Sequence, residues 1–407
     1  MALYAFDGTG NSDDGPEEDE TNVVRFAEVY QGAQFEYLEG VGTRLGAVGK
    51  VLGGLFGAGG RSRIDEMYDT LCENFRAGDT AIDIVGYSRG AALAVHFANK
   101  LRKDGIPDQA GTPTIRFLGL FDLVASFGLS FNNVLDFQEM NIAWDVEEVP
   151  DNVVVCRHAM ARDERREAFN VTRLTTASPG TDLQEVWFRG VHGDVGGGNG
   201  NTHRSNIALQ WMFAEASGCG VPLNHQRASE ARYALSPSKL VPPIAQNKDL
   251  AKDPRREVRP GDLEHDSVDA RLALDESQTC RVLARQHYNW SGVTVEPGCT
   301  YRIEAAEDQT WQDDDIACDA DGWTSSDLSW LREPFVEFLE KRRRARHENW
   351  FKLMGALGDE DGRLLPIGRS LLYSADTEAD LYLFANDLRA SYGNNSGFLD
   401  VTITRVT

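Results

Sequence analysis

The stretch that most constrains the fold runs from Thr80 to Asn99, TAIDIVGYSRGAALAVHFAN. Its β-branched run, Ala81–Val85, has the length of a buried strand. Gly86-Tyr87-Ser88-Arg89-Gly90 follows, and then an Ala-rich segment free of Pro and Gly reads as a helix. Strand, G-x-S-x-G, helix is the context of a nucleophile elbow, a strand-to-helix turn so sharp that only glycines at the flanking positions avoid a clash. Ser88 would then stand at a helix N-terminus, where the dipole and free N–H groups favour an oxyanion and the Arg89 N–H is the natural donor. A serine in a structural turn is the competing reading, and the flanking strand and helix weigh against it.

Around this stretch the pattern alternates. Ala2–Phe6, Thr114–Phe121, Val153–Arg157 and Glu185–Phe188 read as further strands, and Arg63–Asn74 and Asn206–Ala216 as helices. This alternation predicts an α/β fold, a doubly wound and mainly parallel sheet of the α/β-hydrolase kind, with ligands at the carboxyl ends of the strands. From Ser217 to Gln278 the chain turns polar and proline-bearing. Beyond about Arg285, short strands such as Thr300–Ala305, Leu381–Ala385 and Phe398–Thr404 sit between Gly, Asn and Asp turns, as in an all-β sandwich. The predicted domains are a catalytic domain over 1–220, a cap or connector over 221–284 and a β-sandwich over 285–407.

A serine hydroxyl needs a base to take its proton and an acid to fix the tautomer of that base. His192 follows the last strand of the first part, in the glycine-rich run Gly190–Gly198, and is preferred as base over His96 and His158. Asp122, Asp163 and Asp194 all follow strands; Asp194 more simply orders its own loop, and position alone does not separate the other two. The first strand runs into Asp7-Gly8-Thr9-Gly10-Asn11, a turn whose N–H groups at Gly8 and Thr9 could supply a second oxyanion donor or form an ordinary tight turn. Asp13–Glu20 reads as a solvated acidic loop. Leu45–Gly60, apolar and glycine-rich, reads as a packed loop or a lipid-contacting flap.

Composition excludes some classes. With 64 acidic against 41 basic residues the net charge is −23, which repels a phosphate backbone and argues against nucleic acid as a partner. The basic run Lys341–Arg346 reads as a solvated face. Six scattered cysteines, Cys72, Cys156, Cys219, Cys280, Cys299 and Cys318, show no C-x-x-C spacing, so neither zinc nor a redox pair is indicated. No apolar run is long enough to cross a bilayer, and the first residues lack the regions of a signal peptide, so synthesis in the cytoplasm is expected.

Four motifs in order, Asp7–Asn11, Gly86–Ala91, Phe121-Asp122-Leu123-Val124-Ala125-Ser126 and Val191–Gly198, together resemble the α/β-hydrolase domain of type VI secretion lipase effectors of the Tle type, over about Met1–Gly220. The resemblance implies a Ser88–Asp122–His192 triad acting on phospholipid esters, with Asp163 as the second choice of acid. It also implies secretion-system partners and delivery to a target cell without a signal peptide.

Phe384–Gly397 offers a carboxylate and two amide oxygens within one turn, hard ligands that suit calcium. This stretch, with Pro297-Gly298, Ala305-Ala306 and Ile367-Gly368, resembles the calcium-dependent galactose-binding lectins of the PA-IL (LecA) type over about Val293–Val406. The resemblance implies one calcium ion held by the side chains of Asp387, Asn394 and Asn395 and the backbone oxygens of Trp311 and Ser391, with Asp387, Asn394 and Asn395 also facing a glycan. Catalysis on this reading needs no cofactor. The expected protein is a serine esterase or phospholipase effector with a lectin-like targeting domain; the rival is an inactive carbohydrate-binding protein on a hydrolase scaffold.

Overall fold

The structure, a computed structural model, describes residues 1–8, 20–32, 34–38, 60–125, 146–166, 169–200, 202–235, 256–324 and 342–407. Thr9, the loop Asp13–Asp19, Ser126 and the flap up to Gly59 lie outside the described residues. The chain divides into two compact units: Met1–Ser236 with Arg255–Val268, and a second whose described part lies within Asp269–Thr407.

The first unit is built on a sheet of seven described strands: β1 (Ala2–Phe6), β2 (Gln34–Leu38), β3 (Ile82–Tyr87), β4 (Ile115–Phe121), β5 (Val153–Ala161), β6 (Asp182–Phe188) and β7 (Leu263–Glu264). Their spatial order is β2-β1-β3-β4-β5-β6-β7, and every neighbouring pair is parallel. Parallel strands buried on both faces read as continuous apolar runs, which is why β1 and β3 to β6 are visible in the sequence. Ala2, Tyr4 and Phe6 pack with Ile64, Met67 and Leu71 of α2 (Gly60–Arg76) and Ala94, Phe97 and Leu101 of α3 (Arg89–Asp104). Leu3 and Ala5 point the other way, with period two, onto Val23 and Phe26 of α1 (Asn22–Val29) and Leu209, Met212 and Phe213 of α5 (Thr202–Gly218). Thr21 caps α1, its side chain accepting the Val24 N–H. Helices thus cover both faces, and the carboxyl ends of β3, β4, β5 and β6 open on one edge, with Ser88, Asp122, Asp163 and His192 just beyond them.

The second unit holds two antiparallel sheets. One runs β12-β11-β17-β10-β15, with β8 also on β17: β8 (Ser277–Leu283), β10 (Thr300–Ala305), β11 (Trp311–Asp313), β12 (Ile316–Cys318), β15 (Ser370–Ser374) and β17 (Asn395–Arg405). The other runs β9-β16-β13-β14: β9 (Asn289–Val295), β13 (Leu353–Leu357), β14 (Leu364–Pro366) and β16 (Ala379–Ala385). Val282, Val293, Ile303, Trp311, Leu353, Leu383, Leu399 and Val401 share its core. Ser277–Leu283, expected as connector, is a strand of this unit. Gln278, Cys280 and Val282 face inward from it, so the unit takes in residues from Asp269 rather than from Arg285.

All six cysteines are free thiols, five of them buried. Among the described residues no helix is long and apolar enough to cross a membrane.

Candidate active site

The elbow is built as its sequence demands. Ser88 has φ 58° and ψ −125°, a backbone conformation that an L-residue adopts only under constraint. A Cβ on Gly90 would stand 2.2 Å from the Phe6 carbonyl oxygen, and one on Gly86 would stand 2.7 Å from Ala91 Cα, so both flanking positions require glycine. Arg89 is the first residue of α3, and its N–H has no acceptor within the helix.

Asp122 occupies the equivalent turn after β4, at φ 43°. The two turns are tied through the main chain: the Ser88 N–H donates to the Phe121 carbonyl (3.0 Å), and the Val124 N–H donates to the Ser88 carbonyl (3.3 Å). Asp122 is fully buried, and three groups make four hydrogen bonds to its carboxylate. The Ala161 N–H donates to Oδ1 (2.8 Å) and His192 Nδ1 to Oδ2 (2.5 Å); Arg256 donates to both oxygens, Nη1 to Oδ1 at 2.6 Å and Nη2 to Oδ2 at 3.0 Å. Burial alone would push this carboxyl up; the Arg256 charge and the His192 hydrogen bond outweigh it and hold Asp122 well below the usual carboxylate range.

His192 opens the short helix α4 (His192–Gly196) after β6. Its ring lies between Tyr87, the residue before the nucleophile, and Phe169, each at 4.7 Å between ring centres. Its main-chain N–H donates to Glu164 Oε2 (3.2 Å), a buried carboxylate paired in turn with Arg166 (2.7 Å). With Nδ1 donating to Asp122, Nε2 is the ring nitrogen left to act as base.

The structure thus brings Asp122, not Asp163, to the imidazole. Asp163 instead accepts the Gly190 N–H (2.7 Å) and pairs with Arg189, which holds the turn before His192. Asp194 accepts the Val191 N–H (3.0 Å) and the Asn199 amide (3.0 Å) and orders its own loop. His158 has both nitrogens engaged: Nε2 accepts the Leu123 N–H (3.0 Å) and Nδ1 faces Glu185 (3.0 Å). His96 sits roughly two turns further along α3. The Gly8 N–H donates to the Asp7 carboxylate (2.6 Å), as in an ordinary turn. Nothing in the sequence marks Arg256, which stands in a polar run with no spacing that singles it out.

In the second unit Asp387, Asn394 and Asn395 do gather. Asn395 Nδ2 donates to Asp387 Oδ2 (3.1 Å), and Asn394 Nδ2 lies 3.4 Å from Asp313 Oδ1. Asp313, opposite Asn395 in the β11–β17 pairing, is a second carboxylate that the sequence reading missed. Its place two residues after Trp311, on the same strand face, was the available signal. Burial first, and then the Asp387 charge, push Asp313 up to about 7. Asn395 Oδ1 is buried with no hydrogen-bond partner. The Ser391 carbonyl accepts the Asn394 N–H (3.2 Å). Among the described residues no group of three or more His, Cys, Asp and Glu is placed to hold a metal; this set has two carboxylates and two amides.

The family model for the catalytic domain of Tle1-like phospholipase effectors of the type VI secretion system matches residues 3–113 and 108–215, just over half of the 407 residues. No curated protein matches the chain. Among solved structures, an uncharacterized protein from Pseudomonas aeruginosa is 25% identical over 58% of this chain and 48% of its own, with a TM-score of 0.39; the chain therefore spans about half the length of that protein. The N-terminal domain of EclA, a PllA-like lectin, is 19% identical over 31% of this chain and 95% of its own, with a TM-score of 0.23. The Tle1 effector bound to the VgrG spike of the type 6 secretion system is 15% identical over 99% of this chain and 68% of its own, with a TM-score of 0.33.

Proposed function

Because this chain belongs to the Tle1-like phospholipase effector family of the type VI secretion system, we propose that it is a serine hydrolase that cleaves phospholipid esters through an acyl-Ser88 intermediate. The observation that carries this is the 2.5 Å contact of His192 Nδ1 with Asp122 Oδ2, beside an elbow that presents Ser88. Ser88 Oγ attacks the ester carbonyl while His192 Nε2 takes its proton. Nε2 then returns that proton to the leaving alcohol, and water repeats the sequence on the acyl-enzyme. Asp122 fixes the tautomer and stabilises the imidazolium, and the Arg89 N–H at the head of α3 meets the oxyanion. Partners in this reading are a lipid surface and the secretion machinery that delivers the chain. A fluorophosphonate probe is expected to label Ser88 alone, as mapped by peptide mass, and the unlabelled protein is expected to release fatty acid from phosphatidylglycerol micelles. Labelling at another serine, or none, would reject the assignment.

A second reading has its own observation, the orphaned Asn395 Oδ1 beside two buried carboxylates. These oxygens fit a hard cation. Calcium would be held by the side chains of Asp387, Asn394 and Asn395, joined by Asp313, and by the carbonyl oxygens of Trp311 and Ser391. Once bound, it would anchor the hydroxyls of a glycan. Free calcium at a hundredfold above its dissociation constant is expected to stabilise the folded protein by about 2.7 kcal/mol, raising Tm by several degrees. The shift should vanish in Asp387→Ala. Superimposable melting curves in calcium and in chelator would remove the site.

A further inference from the structure

We propose that Arg256 is a positioning residue of the esterase site: it fixes the Asp122 carboxylate and, by sharing its charge, limits how tightly Asp122 can hold a proton on His192. This rests on the serine-hydrolase reading above.

Arg256 is almost wholly buried, with a side chain 4% exposed. Its guanidinium forks onto both oxygens of Asp122, and the same two nitrogens donate to the carbonyl oxygens of Ala161 (Nη1, 2.6 Å) and Phe169 (Nη2). Such a planar fork sets the rotation of a carboxylate as a point charge could not. By holding Phe169, whose ring packs on His192, the arginine also fixes one wall of the imidazole. Orientation alone would not require a charge here, since the Ala161 N–H already holds Oδ1. The consequence specific to a cation lies at Oδ2, which accepts from both Arg256 and His192. A triad acid stabilises the imidazolium by its negative charge. A full positive charge on the same carboxylate opposes that, so removing it strengthens the hold of Asp122 on the imidazolium.

The other groups around His192 are compensated elsewhere. Glu164, against its main-chain N–H, is paired with Arg166. Asp194, on its own helix, accepts from Val191 and Asn199 and lies in the field of Arg204. The Tyr87 hydroxyl is kept protonated by burial and by the nearby Asp122 charge, and Asp7 takes the Thr21 and Tyr37 hydroxyls. Arg256 is the cation hydrogen-bonded to the triad acid itself.

The test uses the full chain: kcat and KM on p-nitrophenyl butyrate across pH, and an NMR titration of the His192 ring, in wild type, Arg256→Gln and Arg256→Lys. In Arg256→Gln the acid limb of kcat/KM and the ring titration both move up by roughly one pH unit, and kcat falls by about tenfold to a hundredfold at nearly constant KM. Arg256→Lys keeps the charge and loses the fork, so its limb stays in place while kcat falls. An Arg256→Gln protein whose limb and ring titration match wild type would overturn the proposal, as would a loss confined to KM. If Arg256→Gln does not fold, Arg256→Lys decides, a wild-type kcat there overturning it and a lowered kcat with an unmoved limb supporting it. If hydrolysis persists in Ser88→Ala, the esterase reading fails instead, and the ring titration still settles the part played by Arg256.

Discussion

Ser88→Ala is expected to reduce ester hydrolysis by at least about a thousandfold, measured as kcat on p-nitrophenyl butyrate, and to abolish the burst of p-nitrophenol. The side chain is small and the hydrogen bonds that place residue 88 are main-chain ones, from its N–H to Phe121 and from Val124 to its carbonyl. Those bonds survive the change. The strained φ of 58° is set by the flanking glycines and the start of α3, so the melting temperature should hardly move. What disappears is the hydroxyl proposed to form the acyl intermediate, and activity near wild type would end the triad assignment.

Asp122→Asn is expected to cost about as much, approaching the 10⁴-fold seen when a triad acid becomes an amide, but it should also destabilise the protein. The carboxylate accepts from Ala161, His192 and twice from Arg256, all buried donors. An amide has one acceptor oxygen, so its NH₂ must face either the guanidinium or the imidazole N–H. Breaking a buried pair from one side costs about 3–5 kcal/mol, readable as a lower denaturation midpoint in urea. Asp122 titrates below the ordinary carboxylate range in the folded state, so the stability it carries is complete above about pH 4 and is lost as pH falls further. The defect of the variant is therefore full at neutral pH and shrinks in strong acid. Asp163→Asn keeps an acceptor for the Gly190 N–H and should lose less than tenfold in rate. Reversed results would make Asp163 the acid.

The parts legible in the sequence were those with a local cause. β1 and β3 to β5 are largely apolar runs, and β6 is one over Val186–Phe188, because both faces of a parallel sheet are covered. Ser88 and His192 stand in glycine-marked turns whose geometry the chain itself announces. What escaped depends on distant or inconspicuous partners. Arg256 meets Asp122 from 134 residues away and sits in the polar run Asp253–Glu257, which has no periodicity. Position after a strand could not separate Asp122 from Asp163, because both turns lie on the same sheet edge; only the course of the chain after β6 decides which one the imidazole meets. β8 is hidden in the sequence because Gln278 occupies an inward position and masks the alternation that Cys280 and Val282 continue. The Gly8 N–H is taken by the side chain of the preceding residue, a contact that depends on one rotamer of Asp7.

The six unpaired thiols carry a consequence for how this chain folds. No disulfide shortens the loops of its unfolded state, so its stability is held by packing and pairing alone. Burial pushes the Cys280 and Cys318 thiols up to about 12, which keeps them in the unreactive protonated form. A protein made this way needs no disulfide isomerase to reach its fold.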